Sequence, residues 1–250
     1  MKTCNNCGAE NCCEAKFCER CGTPFLKKCI KCGADNNLSA AFCNQCGSKL
    51  SLNDGKMTCN GHVCIDLGLP SGTQWATCNI GANKPEDFGE AFAWGETEPK
   101  FAYGVGNYKY GGRYLCNITK YNTKQEYGPI DNKIILEPSD DVATVKWGKG
   151  WRLPTLEETD ELIKFCEWHL TTLNNVQGCL IKAYNGNSIF IPTAGCLKGL
   201  NTEKDIGCYW INSIVLNCPT AAHYLSIDSK EIKRAFEFRV SGMYVRPVCK

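Results

Sequence analysis

The chain predicts an α+β protein in two parts, a small cysteine-built module followed by a larger domain of short strands and two helices. Three observations carry this. Four Cys-x-x-Cys-Gly pairs crowd residues 4–47, short β-like runs broken by Gly and Pro turns begin near Gly61, and helix starts are signed by capping residues at Ser139 and Thr155. The 250 residues divide as 1–50, a linker at 51–60, and 61–250, and the last part is long enough to bury a core of its own.

Within the first part Cys4, Cys7, Cys18 and Cys21 recur 25 residues later as Cys29, Cys32, Cys43 and Cys46, an internal repeat. The same slide lays Gly8 on Gly33, Ala9 on Ala34, Phe17 on Phe42 and Gly22 on Gly47. Two thiolates two residues apart can grip one face of a tetrahedral ion, and a second such pair can close the opposite face. Each set of four predicts one zinc. A filled Cys4-type set keeps no position open for water, so both sites are expected to be structural. The glycine after each pair suits a tight knuckle that needs positive φ, and Phe17 and Phe42 are expected to plug the small interior. Cys12 and Cys13 face Asn37 and Leu38 of the second repeat and fall outside the ligand pattern. About fifty residues bury too little surface to fold alone, so metal, worth roughly 10–16 kcal/mol per site in small finger peptides, would supply the folding energy. A disulfide framework is the competing reading of the same cysteines. Taken together, residues 4–46 resemble the double zinc ribbon family, a tandem of rubredoxin-like knuckles, with all eight ligand positions present.

Charge argues against a generic nucleic-acid surface. Residues 1–52 are formally +3, from seven Lys/Arg and four Asp/Glu, but two Zn(Cys)4 groups of about −2 each would leave about −1. Only Lys27-Lys28 with Lys31 form a basic cluster. The absence of an apolar signal run or an 18-residue apolar stretch predicts a cytoplasmic chain that does not enter a membrane. The ten cysteines beyond residue 50, from Cys59 to Cys249, have no motif spacing and are expected to act as small buried hydrophobes.

In the larger part His62 to Leu67 reads as a strand, Leu69-Pro70-Ser71-Gly72 as a turn, and Thr73 to Asn79 as the hairpin partner. Residues 98–138 lack periodicity and predict a long surface excursion anchored by Tyr108, Tyr114 and Tyr121. Ser139 is expected to cap a short helix to Val145. Thr155-x-x-Glu158 is a capping box for a second helix reaching His169, with Leu162, Ile163, Cys166 and Leu170 on its apolar face.

Leu67-Gly68-Leu69-Pro70-Ser71-Gly72-Thr73-x-Trp75-Ala76, Trp147-Gly148-Lys149-Gly150-Trp151-Arg152-Leu153-Pro154-Thr155, Gly207-Cys208-Tyr209-Trp210 and Tyr244-Val245-Arg246-Pro247-Val248 occur in this order. Residues 62–249 thereby resemble the major paralogous domain family first named from Fibrobacter and abundant in Bacteroidetes. That resemblance implies a C-type lectin-like fold, also similar to formylglycine-generating enzymes, with a twisted antiparallel sheet and long loops. Glu137-Pro138-Ser139 echoes the calcium-and-sugar tripeptide of C-type lectins, but it also fits a helix entry. Trp147, Trp151, Trp210 and Arg246 are expected as core and strand anchors. His62, His169 and His223 sit in separate segments, which gives no catalytic constellation.

These features predict a non-enzymatic zinc-binding bacterial protein. The ribbons would serve as an interaction module, and the lectin-like domain would bind a protein or carbohydrate ligand. Two alternatives remain open: an enzyme on the formylglycine-generating scaffold, for which Cys196, Cys208 and Cys218 are the cysteines to consider, and nucleic-acid binding through the ribbons.

Overall fold

A computed structural model describes residues 1–4, 8–13, 15–21, 25–29, 32–37, 40, 42–48, 56–111 and 116–250. The first part repeats one small hairpin. Strand β1 (Lys2–Thr3) pairs with β2 (Glu10–Asn11), and β3 (Leu26–Lys28) pairs with β4 (Asp35–Asn37). Register repeats with sequence: Lys2 faces Asn11 as Lys27 faces Asn36, and Thr3 faces Glu10 as Lys28 faces Asp35. Each loop turns on a glycine in the left-handed region, Gly8 at φ 69° and Gly33 at φ 74°, whose amide returns to the carbonyl of Cys4 or Cys29.

The larger part is mostly antiparallel sheet. It opens with β5 (Lys56–Cys59), β6 (His62–Asp66) and β7 (Gln74–Ala76). Residues 56–59 lie within the expected linker, yet they pair with β6, Cys59 opposite His62, across Asn60-Gly61. Both turn residues have positive φ, 45° and 80°, as a two-residue hairpin requires. The remainder of that linker, residues 51–55, lies outside the described residues. The turn at Leu69 to Gly72 closes as expected, the Gly72 amide donating to the Leu69 carbonyl at 2.9 Å.

The described residues of 98–138 form the expected excursion, with turns at Val105–Asn107 and Gln125–Tyr127. Tyr108 and Tyr121 are buried, the former donating to the Trp94 carbonyl and the latter to Asp140. Tyr114 falls outside the described residues.

Helix α1 (Val142–Trp147) starts later than the sequence suggests, because Asp141 and not Ser139 caps it. One carboxylate oxygen of Asp141 accepts from the Ala143 and Thr144 amides, and the other from the Leu153 amide at 2.8 Å. After β8 (Trp151–Arg152) comes α2 (Leu156–Phe165), opened by the predicted box. Thr155 Oγ1 accepts from the Glu158 amide, and Glu158 Oε2 accepts from the Thr155 amide at 2.9 Å.

The helix ends at Phe165 and does not reach His169. Residues 166–173 form β9 (Cys166–Leu173), which pairs along its whole length with β10 (Val176–Ala183). Asn174 and Asn175, at φ 48° and 66°, make the two-residue turn between them. Leu170 is therefore not on a buried helix face but is half-exposed on a strand. The β-branched Thr171 and Thr172 and the Asn-Asn turn favour a strand over extension of the helix.

Strand β11 (Ser188–Pro192) completes a three-stranded sheet with β10 and β9. A short pair follows, β12 (Cys196–Lys198) with β13 (Asn201–Glu203). Then β14 (Gly207–Val215), β15 (Cys218–Ile227) and β16 (Ile232–Phe238) make a second three-stranded sheet. Last, β17 (Val248–Cys249) inserts between β7 and β8, giving a five-stranded sheet of order β5-β6-β7-β17-β8.

The core gathers Trp75, Trp94, Trp151 and Trp210, each 1% exposed. Trp147 is half-buried and stacks on His62 with ring centres 3.9 Å apart. Among the described residues no helix is long and apolar enough to cross a membrane.

Candidate metal centre

The sulfurs of Cys29, Cys32, Cys43 and Cys46 all lie within 4.8 Å of one another, and so do those of Cys4, Cys18 and Cys21. Cys7, the fourth expected ligand of the first set, lies outside the described residues. Close approaches are 3.5 Å for Cys4–Cys21 and 3.6 Å for both Cys29–Cys46 and Cys32–Cys43. A tetrahedral ion with Zn–S of about 2.3 Å needs sulfurs about 3.8 Å apart. These three close pairs come within a few tenths of an ångström of that spacing, and both clusters fit zinc ligation.

The local chain explains how the sulfurs converge. In the first knuckle of each ribbon the Cys4 amide donates to the Ala9 carbonyl and the Cys29 amide to Ala34, both at 2.8 Å. In the last knuckle the Cys43 amide donates to the Ser48 carbonyl and the Gly47 amide to the Cys43 carbonyl. Backbone donors also face sulfur, with the Gln45 amide 3.4 Å from Cys43 Sγ. The Cys46 amide, then Gln45, Asn36 and Cys32, hold the Cys43 thiol down at about 6 against the effect of burial. Ser48 holds Cys46 below its ordinary value. The Ala34 amide draws Cys32 down, but Cys46, burial, Cys43 and Cys29 together push it up to about 12. Four thiols this close cannot all ionise at neutral pH without a cation, and a divalent ion removes that conflict.

The ribbon interior is made of the ligands themselves. Cys4, Cys18, Cys29 and Cys43 are buried, with Ala34 and Ala40 packed on the second pair. Phe17 and Phe42 are not the expected plugs, since they stand 62% and 61% exposed. A two-stranded hairpin folded around one ion has a single small interior, and the sulfurs fill it. Cys12 and Cys13 are exposed and outside both clusters. Asn11 and Asn36 escaped the sequence reading, yet they are buried beside the sulfurs at 3% and 2% exposure. Their signal was available, because the 25-residue slide lays one on the other.

In the larger part, Cys166 and Cys179 are pushed up by burial to about 12 and about 11. Cys196 and Cys208 are buried neighbours, the former held low by a hydrogen bond from the latter and the latter raised by it. Cys218 lies at the start of β15. The three histidines lie on β6, β9 and β15. Glu137 pairs with Lys120 and Lys133, and Asp140 with Lys109 and Lys120, so these two acids at the Glu-Pro-Ser tripeptide are held by lysines. Arg246, read as an anchor, is fully buried with its guanidinium donating to Asn79 Oδ1 and to the carbonyls of Ala76 and Phe190. An open cleft of about 450 Å³ is lined by Lys56, Ile65, Thr77, Leu180, Asn187 and Phe190 among others.

No curated protein and no solved structure matches the chain. Residues 4–47 match the double zinc ribbon family, and the two thiol clusters within that span fit the zinc ions of such a ribbon.

Proposed function

We propose that the chain is a non-enzymatic binding protein, with two structural zinc ions, one held by Cys4, Cys7, Cys18 and Cys21 and the other by Cys29, Cys32, Cys43 and Cys46. The observation that carries this reading is the convergence of the second four sulfurs within 4.8 Å, a complete ligand set of the structural type. Phe17 and Phe42, exposed at the same place in both repeats, give the ribbons a paired apolar contact suited to a protein partner.

The larger domain is read as the ligand-binding module. Its ordered motif series supports a C-type lectin-like α+β fold, and so does its antiparallel sheet with long loops. A cleft of about 450 Å³ is within the size range of small-ligand sites. Burial of Cys196 and Cys208 at 2% and 1% exposure suits core thiols better than nucleophiles that meet a substrate. On this reading a protein or carbohydrate ligand is the expected partner and the cytoplasm the expected location.

The test is elemental mass spectrometry on chain purified without chelator, joined to a thiol count under denaturing conditions with metal removed. Two zinc per chain and all 20 cysteines reactive support the reading. No metal and few reactive thiols would replace it with a disulfide-built protein. Binding to DNA or RNA that falls steeply with salt would move the function to nucleic acid.

A further inference from the structure

Asn11 and Asn36 occupy the same place in the two ribbons, and each uses its whole carboxamide. Asn11 Nδ2 donates to the Ala9 carbonyl at 2.8 Å and lies 3.5 Å from Cys18 Sγ, while its Oδ1 accepts from the Glu19 amide at 2.8 Å. Asn36 repeats this, with the Ala34 carbonyl at 2.7 Å, Cys43 Sγ at 3.6 Å and the Asn44 amide at 2.8 Å. Ala9 and Ala34 are also where the Cys4 and Cys29 amides donate. One side chain thus ties the closing residue of the first knuckle to the opening residues of the second.

The chemistry of the contact matters as much as its position. Four thiolates around one divalent ion carry an excess of about two negative charges, and an N–H directed at a sulfur stabilises that charge. Hydrogen bonds from outside the ligand set orient ligands and tune the metal, with losses of about 10- to 100-fold in affinity when they are removed.

We propose that Asn11 and Asn36 are positioning residues of the two zinc sites: each sets the second cysteine pair against the first, and its N–H tempers the charge on Cys18 or Cys43. The proposal rests on the zinc reading above.

Aspartate separates the two parts of this role. Asn36→Asp keeps the size and the acceptor for the Asn44 amide but turns the donor that faces Cys43 and the Ala34 carbonyl into an acceptor. In the full chain, competition with a chromophoric chelator should show one ion weakened about 10- to 100-fold and the other unchanged. Iodoacetamide, mapped by mass spectrometry, should reach Cys43 sooner than in the unsubstituted chain while Cys18 keeps its rate. In the cobalt(II)-loaded chain the sulfur-to-cobalt charge-transfer band should move for one site of the two. Asn11→Asp should produce the mirror result at Cys18.

Unchanged competition, alkylation and cobalt band in Asn36→Asp would overturn the proposal, as would equal weakening of both ions by one substitution. Should Asn36→Ala leave the second ribbon unfolded, Asn36→Asp still decides, because it retains the volume and the acceptor. The zinc reading fails separately, by an unsubstituted chain that holds no zinc.

Discussion

A guanidinium can be buried only if its donors find acceptors, and Arg239, fully buried, finds four. It donates to Tyr108 Oη and to the carbonyls of Tyr121, Pro219 and Lys120, and it sits against the rings of Trp94, Tyr108 and Tyr121. Lysine cannot reproduce a planar fork among carbonyls. Arg239→Lys should cost about 2–4 kcal/mol in urea unfolding followed by tryptophan fluorescence. The acid partner of another arginine sets a pH dependence. Burial pushes Glu158 up, but the bidentate Arg152, Thr73 and the Thr155 amide outweigh it and hold the carboxyl at about 2. A carboxyl lowered from 4.5 when folded stabilises fully above that value and loses its contribution as pH falls toward about 2. Glu158→Gln should therefore lower Tm at neutral pH and flatten its decline between pH 4.5 and 2; an unchanged slope would place the acid sensitivity elsewhere. Arg246 was legible as an anchor because it sits in a terminal motif rich in apolar residues. Arg239 was not, since Phe-Arg-Val in an alternating run looks like a solvated strand position until distant carbonyls are brought around it.

At the scale of elements, local signals were read well where they were self-contained and poorly where two elements competed for the same residues. The capping box at Thr155 and Glu158 names the start of α2 without tertiary help. Its end was missed because Leu162, Cys166 and Leu170 keep helical spacing while β9 takes the last two. Leu162 is fully buried, and Leu162→Ala should destabilise the domain by about 2–5 kcal/mol. The paired strands beyond the helix offer an independent check. Glycine is preferred at the second position of a turn with two positive φ values, so Asn175→Gly should raise stability by about half a kcal/mol; a loss would mean the Asn175 side chain holds the turn. The Asn60-Gly61 hairpin is equally legible by that rule, but the polar stretch that precedes it reads as a linker. The excursion over 98–138 gave only its tyrosines, because loops held by scattered side-chain bonds leave no periodic trace.

For the whole molecule the metal sites were the most legible feature, since ligand spacing is a covalent property of the chain and needs no packing to be recognised. What the sequence misjudged was the interior those ligands enclose, where sulfur and two asparagines stand in place of Phe17 and Phe42. Replacing both phenylalanines by alanine should accordingly leave two zinc per chain. Cys18→Ser should strip one ion and unfold the first ribbon while the cooperative melt of residues 56–250 persists, measured by calorimetry beside metal analysis. Strand β17 supplies the last consequence. Residues 248–249 form the seam between β7 and β8, joining strands that were made about seventy-five residues apart and far earlier in synthesis. During translation the ribbons can capture zinc and close as soon as residue 47 has emerged. The five-stranded sheet must wait, with β7 and β8 still unjoined, until β17 arrives.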